Sequence, residues 1–478
     1  MTVGIDAIDF YTPQTYLPIE LLADARQIEY AKLNKGLGLS GMAVCDVNED
    51  VATMGANAAI KIIEREKLDL NQIERIYLGT ESALDAAKPT ASYISQIIEE
   101  HFKQPRGLQN CDVLDMTFAC VGGIDALHNC LDWIRLNPSK KAIVIAADNA
   151  KYELSSGGEY TQGAGAVAML LTSNPSILAI DPEIGVATES VGDFFKPRRT
   201  EHVGDLFKRA AQILGQDISE TDLKQLLENN NDQFWSQQNQ EIEIHKDEPV
   251  FDGQFSNECY TARITEAFDH YKSQREVDAI QDWTQLIFHL PYAYQGRRML
   301  TPMWIDWMVA KGEINKLEDE IGESLPNKAE NAYSTFVKAA SKTNLYKTFV
   351  TTHIEKGERA SSQIGNMYTA SIFMSLLSFL SAAAEENQEL AQNSIGFFSY
   401  GSGSKSKVFS GEVQEKWKSK IEHCRLFETL SQRTAIDFET YEALHNNKLT
   451  TPILSKNKPA LKAIQNAKNK EGYRTYSV

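Results

Sequence analysis

Residues 114–134, LDMTFACVGGIDALHNCLDWI, place Cys120 directly before Val-Gly-Gly, where a helix-patterned run begins. A glycine inside a helix costs roughly 1 kcal/mol relative to alanine, so Gly122 and Gly123 need a compensating gain. Close approach of a substrate to the backbone is one such gain. At a helix start, the dipole and the unpaired N–H groups also draw a thiol toward thiolate and can hold a carbonyl oxygen. That combination suits nucleophilic attack on an acyl group. The plainer reading is a buried, inert cysteine at a loose helix start.

A nucleophile needs partners, and three residue types elsewhere fit. His289 ends an apolar strand, two residues before Pro291, where its ring could face a cleft; a strand-terminal histidine is also a common structural residue. Glu81 ends a buried strand in GTES, where burial would raise its pKa into the range of a general base; the alternative is a solvated loop acid. Asn366 follows Gly365 at a helix start, where an N-cap role serves equally well.

The elements that must carry these residues are legible as alternating strand and helix patterns, which indicate a layered α/β fold. IERIYLGTES (73–82) and NCDVLDMTFAC (110–120) read as strands running into loops. In the helix between them and KKAIVIAADNAKY (141–152), Val121, Ile124, Leu127, Leu131 and Ile134 recur at three- and four-residue spacing. GAGAVAMLLT (163–172) is a further buried strand. In the second half, WTQLIFHLPYAY (283–294) reads as a strand followed by a helix, and 361–387 as a Gly-Asn turn opening a long apolar helix. Residues 393–411 read as a hairpin with a glycine-rich tip. Residues 198–248 are polar and locally helical, with Leu206, Phe207, Ala210, Ile213 and Leu214 as one apolar face, and look like a surface insertion. One amphipathic helix is expected around 427–445.

The net charge of −17 argues against non-specific binding to nucleic acid or anionic membranes, and requires a local basic cluster for any anionic ligand. The N-terminal MTVGIDAIDFYTP lacks a basic leader, and no run of about 20 apolar residues marks a membrane span. The six cysteines are scattered without a C-x-x-C pair, which suits a reduced, cytoplasmic protein rather than a zinc site or disulfide scaffold.

Eight motifs then occur in the order seen in the 3-hydroxy-3-methylglutaryl-CoA (HMG-CoA) synthase family of the thiolase superfamily. They are GTES followed by Asp85, TFACVGGIDAL, SGGEYTQGAGAVAML (156–170), DFFKP (193–197), EPVFDGQFSNECY (248–260), FHLPYAYQGRRM (288–299), GNMYTAS (365–371) and SYGSGSKS (399–406). The resemblance runs from about residue 3 to the C-terminal EGYRTYS, interrupted mainly by 198–248. It implies a thiolase-like five-layer αβαβα fold of two similar halves, with residues 1–173 and 174–412 as the halves and 413–478 as a family tail. It also implies a homodimer. Matched residue by residue, Cys120 is the acetyl acceptor, Glu81 the base that forms the enolate, and His289 the group that polarises the ketone of acetoacetyl-CoA. Hydrolysis of the enzyme thioester then releases HMG-CoA, in the mevalonate route to isoprenoids.

Asn366 and Ser402 match acyl-holding positions, and Tyr368, Asp193 and Thr161 are expected substrate contacts. No metal or redox cofactor is implied, only acetyl-CoA and acetoacetyl-CoA as substrates. The chain departs from the family five residues after His289, where Tyr294 replaces a lysine. Arg297 and Arg298 are therefore the expected phosphate contacts, with Lys405 and Lys407 behind them. This departure and the insertion keep open a related activity, polyketide β-branching on acyl-carrier-protein-bound substrates. A ketoacyl-carrier-protein synthase of type III also uses Cys, His and Asn, but decarboxylative condensation has no need of a base such as Glu81.

Overall fold

Strands covered on both faces read as near-continuous apolar runs, and the run at 142–147 is fully buried. The structure is a computed structural model that describes residues 1–228, 241–454, 459–467 and 469–478. Ten strands form one mixed sheet: β1 (Val3–Tyr11), β2 (Ile73–Gly79), β3 (Asp112–Met116), β4 (Lys141–Ala150), β5 (Gly163–Ser173), β6 (Leu178–Ile180), β7 (Gly185–Thr188), β8 (Trp283–Phe288), β9 (Ser394–Gly401) and β10 (Lys405–Val413). Their spatial order is β8-β9-β10-β6-β1-β5-β4-β2-β3, with β7 paired to β10. The short β6 joins the two halves, pairing with β1 on one side and β10 on the other.

Three cores separate the layers. Helices α1 (Val51–Arg65) and α2 (Thr90–His101) cover the outer face of the first half, on Ile76, Leu78, Ile143 and Ile145. Between the halves lie α3 (Gly122–Leu136) and, later in the chain, Ser371–Glu385, packed against Val144 and Met169 on one side and Phe397 and Phe409 on the other. Helix α4 (Gly253–Gln274) and the helices of residues 301–353 cover Leu286, Phe288 and Phe398 on the outer face of the second half. Val144 faces inward while Ile143 and Ile145 face outward, the period-two alternation that lets one strand serve two cores. This is the five-layer arrangement expected from the motifs. Residues after 413 join it directly: Trp417 and Phe427 enter the central core and Tyr476 the outer one.

Several expectations are corrected. Gly122 and Gly123 do not clear a path for substrate. A Cβ on Gly122 would lie 2.7 Å from the Met116 carbonyl oxygen, and one on Gly123 3.0 Å from Phe373. A Cβ on Gly79 would lie 2.3 Å from the Gly123 Cα, so the glycines let α3 settle onto β2 and the second central helix. The segment Tyr368–Glu385 has the length and apolarity of a membrane span, but 89% of it is buried in the protein, as a central core helix is. The helix expected around 427–445 is two, Leu426–Ser431 and Phe438–His445, because Thr434–Ala435 pairs with Thr15–Tyr16 and Asp437 caps the second helix. In the insertion, the helix Val203–Ile213 buries Val203 and Ala211, while Ala210, Ile213 and Leu214 of the expected apolar face are exposed. Residues 229–240 of that insertion lie outside the described residues.

Candidate active site

Strand β2 ends at Gly79, and the next three residues are gathered onto one carboxylate. Asp148, fully buried near the end of β4, accepts hydrogen bonds from Thr80 Oγ1 (3.0 Å), Glu81 N (2.8 Å) and Ser82 Oγ (2.9 Å). It also accepts from Thr369 N (3.0 Å) and Thr369 Oγ1 (2.5 Å). Asp148 thus ties the Glu81 loop to the start of the second central helix. Burial raises its pKa even against these donors.

Cys120 sits two residues before α3, after Ala119 in a left-handed conformation (φ 38°). Its Sγ donates to Glu81 Oε1 at 3.0 Å. Burial raises the Glu81 pKa to about 7, with Asp148 adding to the rise and Lys196 opposing it. The thiol is not the ready thiolate expected from the helix dipole. Burial, and then the Glu81 charge beside it, push its pKa well up. Cys120 and Glu81 therefore hold one proton between neighbouring groups, and a base stands beside the nucleophile.

A cleft of about 290 Å³ opens on this thiol. His289 follows β8 and extends its ladder, its N–H donating to the Phe398 carbonyl at 3.1 Å. Its own carbonyl accepts from Tyr260 Oη at 2.9 Å. The ring is 1% exposed, Nδ1 has no hydrogen-bond partner, and burial pulls its pKa down to about 3. At neutral pH it is an uncharged imidazole with one N–H to offer. Tyr152, Phe194, Phe251 and Tyr368 line the cleft as an edge-to-face aromatic cluster, with centroid separations of 5.5–6.5 Å.

Asn366 lines the same cleft from the turn between Glu355–Ile364 and Ser371–Glu385. Its N–H donates to the Thr161 carbonyl (2.9 Å) and its Oδ1 accepts from Tyr368 N (2.8 Å). Gly365 makes this turn possible: its φ is 85° and a Cβ there would lie 1.9 Å from the Gln162 carbonyl oxygen. Tyr368, fully buried, keeps a φ of 41° at the edge of the site. Thr161 and Ser402 also line the cleft, Ser402 from the β9–β10 tip.

Other expected contacts lie elsewhere. Asp193 is fully buried, and its carboxylate accepts from Tyr400 Oη (2.7 Å), Gly403 N (2.8 Å) and Ser256 Oγ (3.1 Å). It braces the tip that carries Ser402 and does not line the cleft. Arg297 is neutralised by Glu358, with Nε 2.9 Å from Oε1, and lies over the Tyr294 ring. Lys405 and Lys407 both pair with Asp125, at 2.5 and 2.8 Å. Tyr294 fills the space beside Gly38, where a Cβ would lie 2.6 Å from its ring. Arg298 alone of these expected phosphate contacts lines the cleft; it is exposed, and no described carboxylate pairs with it.

Two residues were missed in the sequence. Asp148, in AADNA, carries the same signal that singled out Glu81, a carboxylate closing a buried strand. Lys196, in DFFKP, donates from Nζ to the Glu81 carbonyl at 3.3 Å, and its charge opposes the rise in the Glu81 pKa.

Family models described as hydroxymethylglutaryl-coenzyme A synthase, N terminal and C terminal, match residues 1–176 and 239–469. The gap between them holds most of the polar insertion. A hydroxymethylglutaryl-CoA synthase of Haloferax volcanii is 31% identical over 456 residues, covering 93% of this chain and 91% of that protein. One from Enterococcus faecalis is 29% identical over 454 residues, covering 95% and 94%. Among solved structures, MvaS in complex with 3-hydroxy-3-methylglutaryl coenzyme A superposes with a TM-score of 0.75 at 28% identity, covering 100% of this chain and 99% of that one. The HMG synthase of the curacin biosynthetic pathway, in complex with an acetyl donor-ACP, shares the fold with a TM-score of 0.74 at 24% identity and full coverage of both chains. With both terminal models matched and a 31% identical relative aligned almost end to end, the chain belongs to the hydroxymethylglutaryl-CoA synthase family.

Proposed function

We propose that the protein condenses an acetyl group carried on Cys120 with acetoacetyl-CoA and hydrolyses the product to HMG-CoA. The observation that carries this reading is the 3.0 Å contact between Glu81 Oε1 and the Sγ of Cys120, which lines one cleft with a neutral His289. In the first step Glu81 takes the thiol proton as sulfur attacks the thioester carbonyl of acetyl-CoA, and the proton leaves on the CoA thiol. In the second, Glu81 removes a proton from the acetyl methyl, and the enolate carbon attacks the ketone of acetoacetyl-CoA. The His289 N–H hydrogen-bonds to the ketone oxygen as it gains charge, and the proton Glu81 took from the methyl ends on that oxygen, giving the tertiary alcohol and returning Glu81 to the carboxylate. In the third, water cleaves the Cys120 thioester, giving a carboxylate, the free thiol and one proton released to solvent.

A base with a pKa near 7 suits all three steps, because it is readily both protonated and deprotonated at neutral pH. The structure of MvaS with 3-hydroxy-3-methylglutaryl coenzyme A supports this choice of product. The test is conversion of acetyl-CoA and acetoacetyl-CoA to HMG-CoA, lost in Cys120→Ser.

One observation favours a second reading, in which the donor is held on a carrier protein. With Tyr294 packed against Gly38, Arg297 paired with Glu358, and Lys405 and Lys407 both held by Asp125, Arg298 is left to meet phosphate at the cleft. A single cation matches the one phosphate of a phosphopantetheine arm more closely than the three of CoA. Acetyl transfer from an acetylated carrier protein but not from acetyl-CoA would select it.

The assembly we infer is a homodimer through β3, which forms an open edge of the sheet and exposes an unpaired ladder. Leu114, Met116 and Phe118 there are only partly buried against the core. All six cysteines are free, and a rat relative, 27% identical over 435 residues, is named cytoplasmic; both support a reducing cytoplasmic setting for this chain.

A further inference from the structure

Lys196 follows the short strand Phe194–Phe195, which pairs with Val250–Phe251 at the base of the polar insertion. From there its Nζ reaches the Glu81 carbonyl at 3.3 Å and stands 5.0 Å over the centroid of the Tyr368 ring. No described carboxylate lies within ion-pair distance of it. The groups facing Glu81 are the Cys120 thiol, the Asp148 carboxylate, the Tyr152 and Tyr368 phenols, and Lys196. Every one of these except Lys196 is neutral or an acid, so each proton Glu81 gives up adds negative charge to a water-poor site that already holds Asp148. Lys196 is the cation that acts on Glu81, Cys120 and Asp148 alike.

We propose that Lys196 is a positioning residue, which holds the Glu81 loop and keeps the Glu81 carboxylate ionised for abstraction of the acetyl proton. This rests on the reading of Glu81 as the base. Two contacts fix the ammonium, the backbone carbonyl and the Tyr368 face, so its charge is already in place when the carboxylate forms. An opposite charge within about 4–6 Å lowers a carboxyl pKa by about one unit or more, and the Lys196 charge acts on Glu81 in that direction. Removing the charge therefore shifts the Glu81 ionisation to higher pH.

The test compares Lys196→Met and Lys196→Arg with the unaltered protein, with thermal melting as a check on folding. Two quantities are read between pH 6 and 9: kcat/KM for HMG-CoA formation, and exchange of the Cys120-bound acetyl methyl protons with deuterium from solvent. Lys196→Met is expected to lose about fivefold in both at pH 7 and nearly tenfold at pH 6, with the loss shrinking toward pH 9 as the acid limb moves up by about one unit. Lys196→Arg is expected to restore most of the loss. Equal loss at every pH, or no loss in exchange, would overturn the proposal, as would an arginine variant no better than the methionine variant. If Lys196→Met fails to fold, Lys196→Gln carries the same comparison. Absence of HMG-CoA formation by the unaltered protein would instead defeat the assigned function, so the two failures are distinct.

Discussion

Glu81 and His289 are both pushed toward neutrality by burial, with opposite consequences for pH. The Glu81 pKa near 7 makes the active, ionised base the form that accumulates above pH 7, so kcat/KM should rise through an acid limb centred near 7. His289, held down to about 3, stays uncharged across the working range and adds no limb of its own. Glu81→Gln should cut condensation by about 10²–10⁴-fold, the range for losing a general base. His289→Ala should lower the rate and leave the midpoint in place. A pH–rate profile of the unaltered protein and both variants checks these outcomes. The candidate groups were legible because cysteine, glutamate, histidine and asparagine sat at strand ends or helix starts, but each had an equally plain structural reading until the ordered family motifs joined them. Their electrostatics were not: the helix start pointed to a thiolate, and the structure puts a carboxylate 3.0 Å from the thiol.

At the scale of elements, single glycines and carboxylates set where those groups stand. Gly365 has φ 85° and ψ −161°, a region open essentially to glycine alone, with the Gln162 carbonyl against its Cα. Gly365→Ala should destabilise the protein by about 2 kcal/mol or more and displace Asn366, measurable as a lower denaturation midpoint and a raised KM. The central strands β4 and β5 were readable as near-continuous apolar runs because both of their faces are buried, and the helices were readable from their three- and four-residue spacing. Side chains that brace elements across long stretches of sequence were not. Arg297 looked free until Glu358, 61 residues on, took its charge, and Asp193 looked like a substrate contact until Tyr400 and Gly403 claimed its carboxylate. The end of the chain shows the same limit, since pairing of Thr434–Ala435 with Thr15–Tyr16 breaks a helix that local periodicity favours.

For the whole molecule, buried histidines couple folding to pH. His128, on α3, has no partner at either ring nitrogen, and burial holds its pKa well below 6.5, as it does for His289. Both stay neutral in the folded state and take up protons on unfolding. Stability is therefore lost as pH falls below about 6.5, at up to about 1.4 kcal/mol per unit for each histidine. His128→Leu should flatten part of that slope, as read by denaturant melts at pH 7 and pH 5. The inferred pairing of two copies through β3 predicts a dimer mass by light scattering, reduced to a monomer by Leu114→Arg on that edge.

The central claim is that Cys120, with Glu81 beside it, accepts the acetyl group. Intact-protein mass spectrometry after brief incubation with acetyl-CoA, and separately with an acetylated carrier protein, measures this directly. A rapid gain of one acetyl group from acetyl-CoA, absent in Cys120→Ser and slowed in Glu81→Gln, is the expected result. Labelling from the carrier protein alone would keep the nucleophile and change its donor. No acetylation from either, or acetylation that survives Cys120→Ser, would contradict the assignment of Cys120 as the nucleophile.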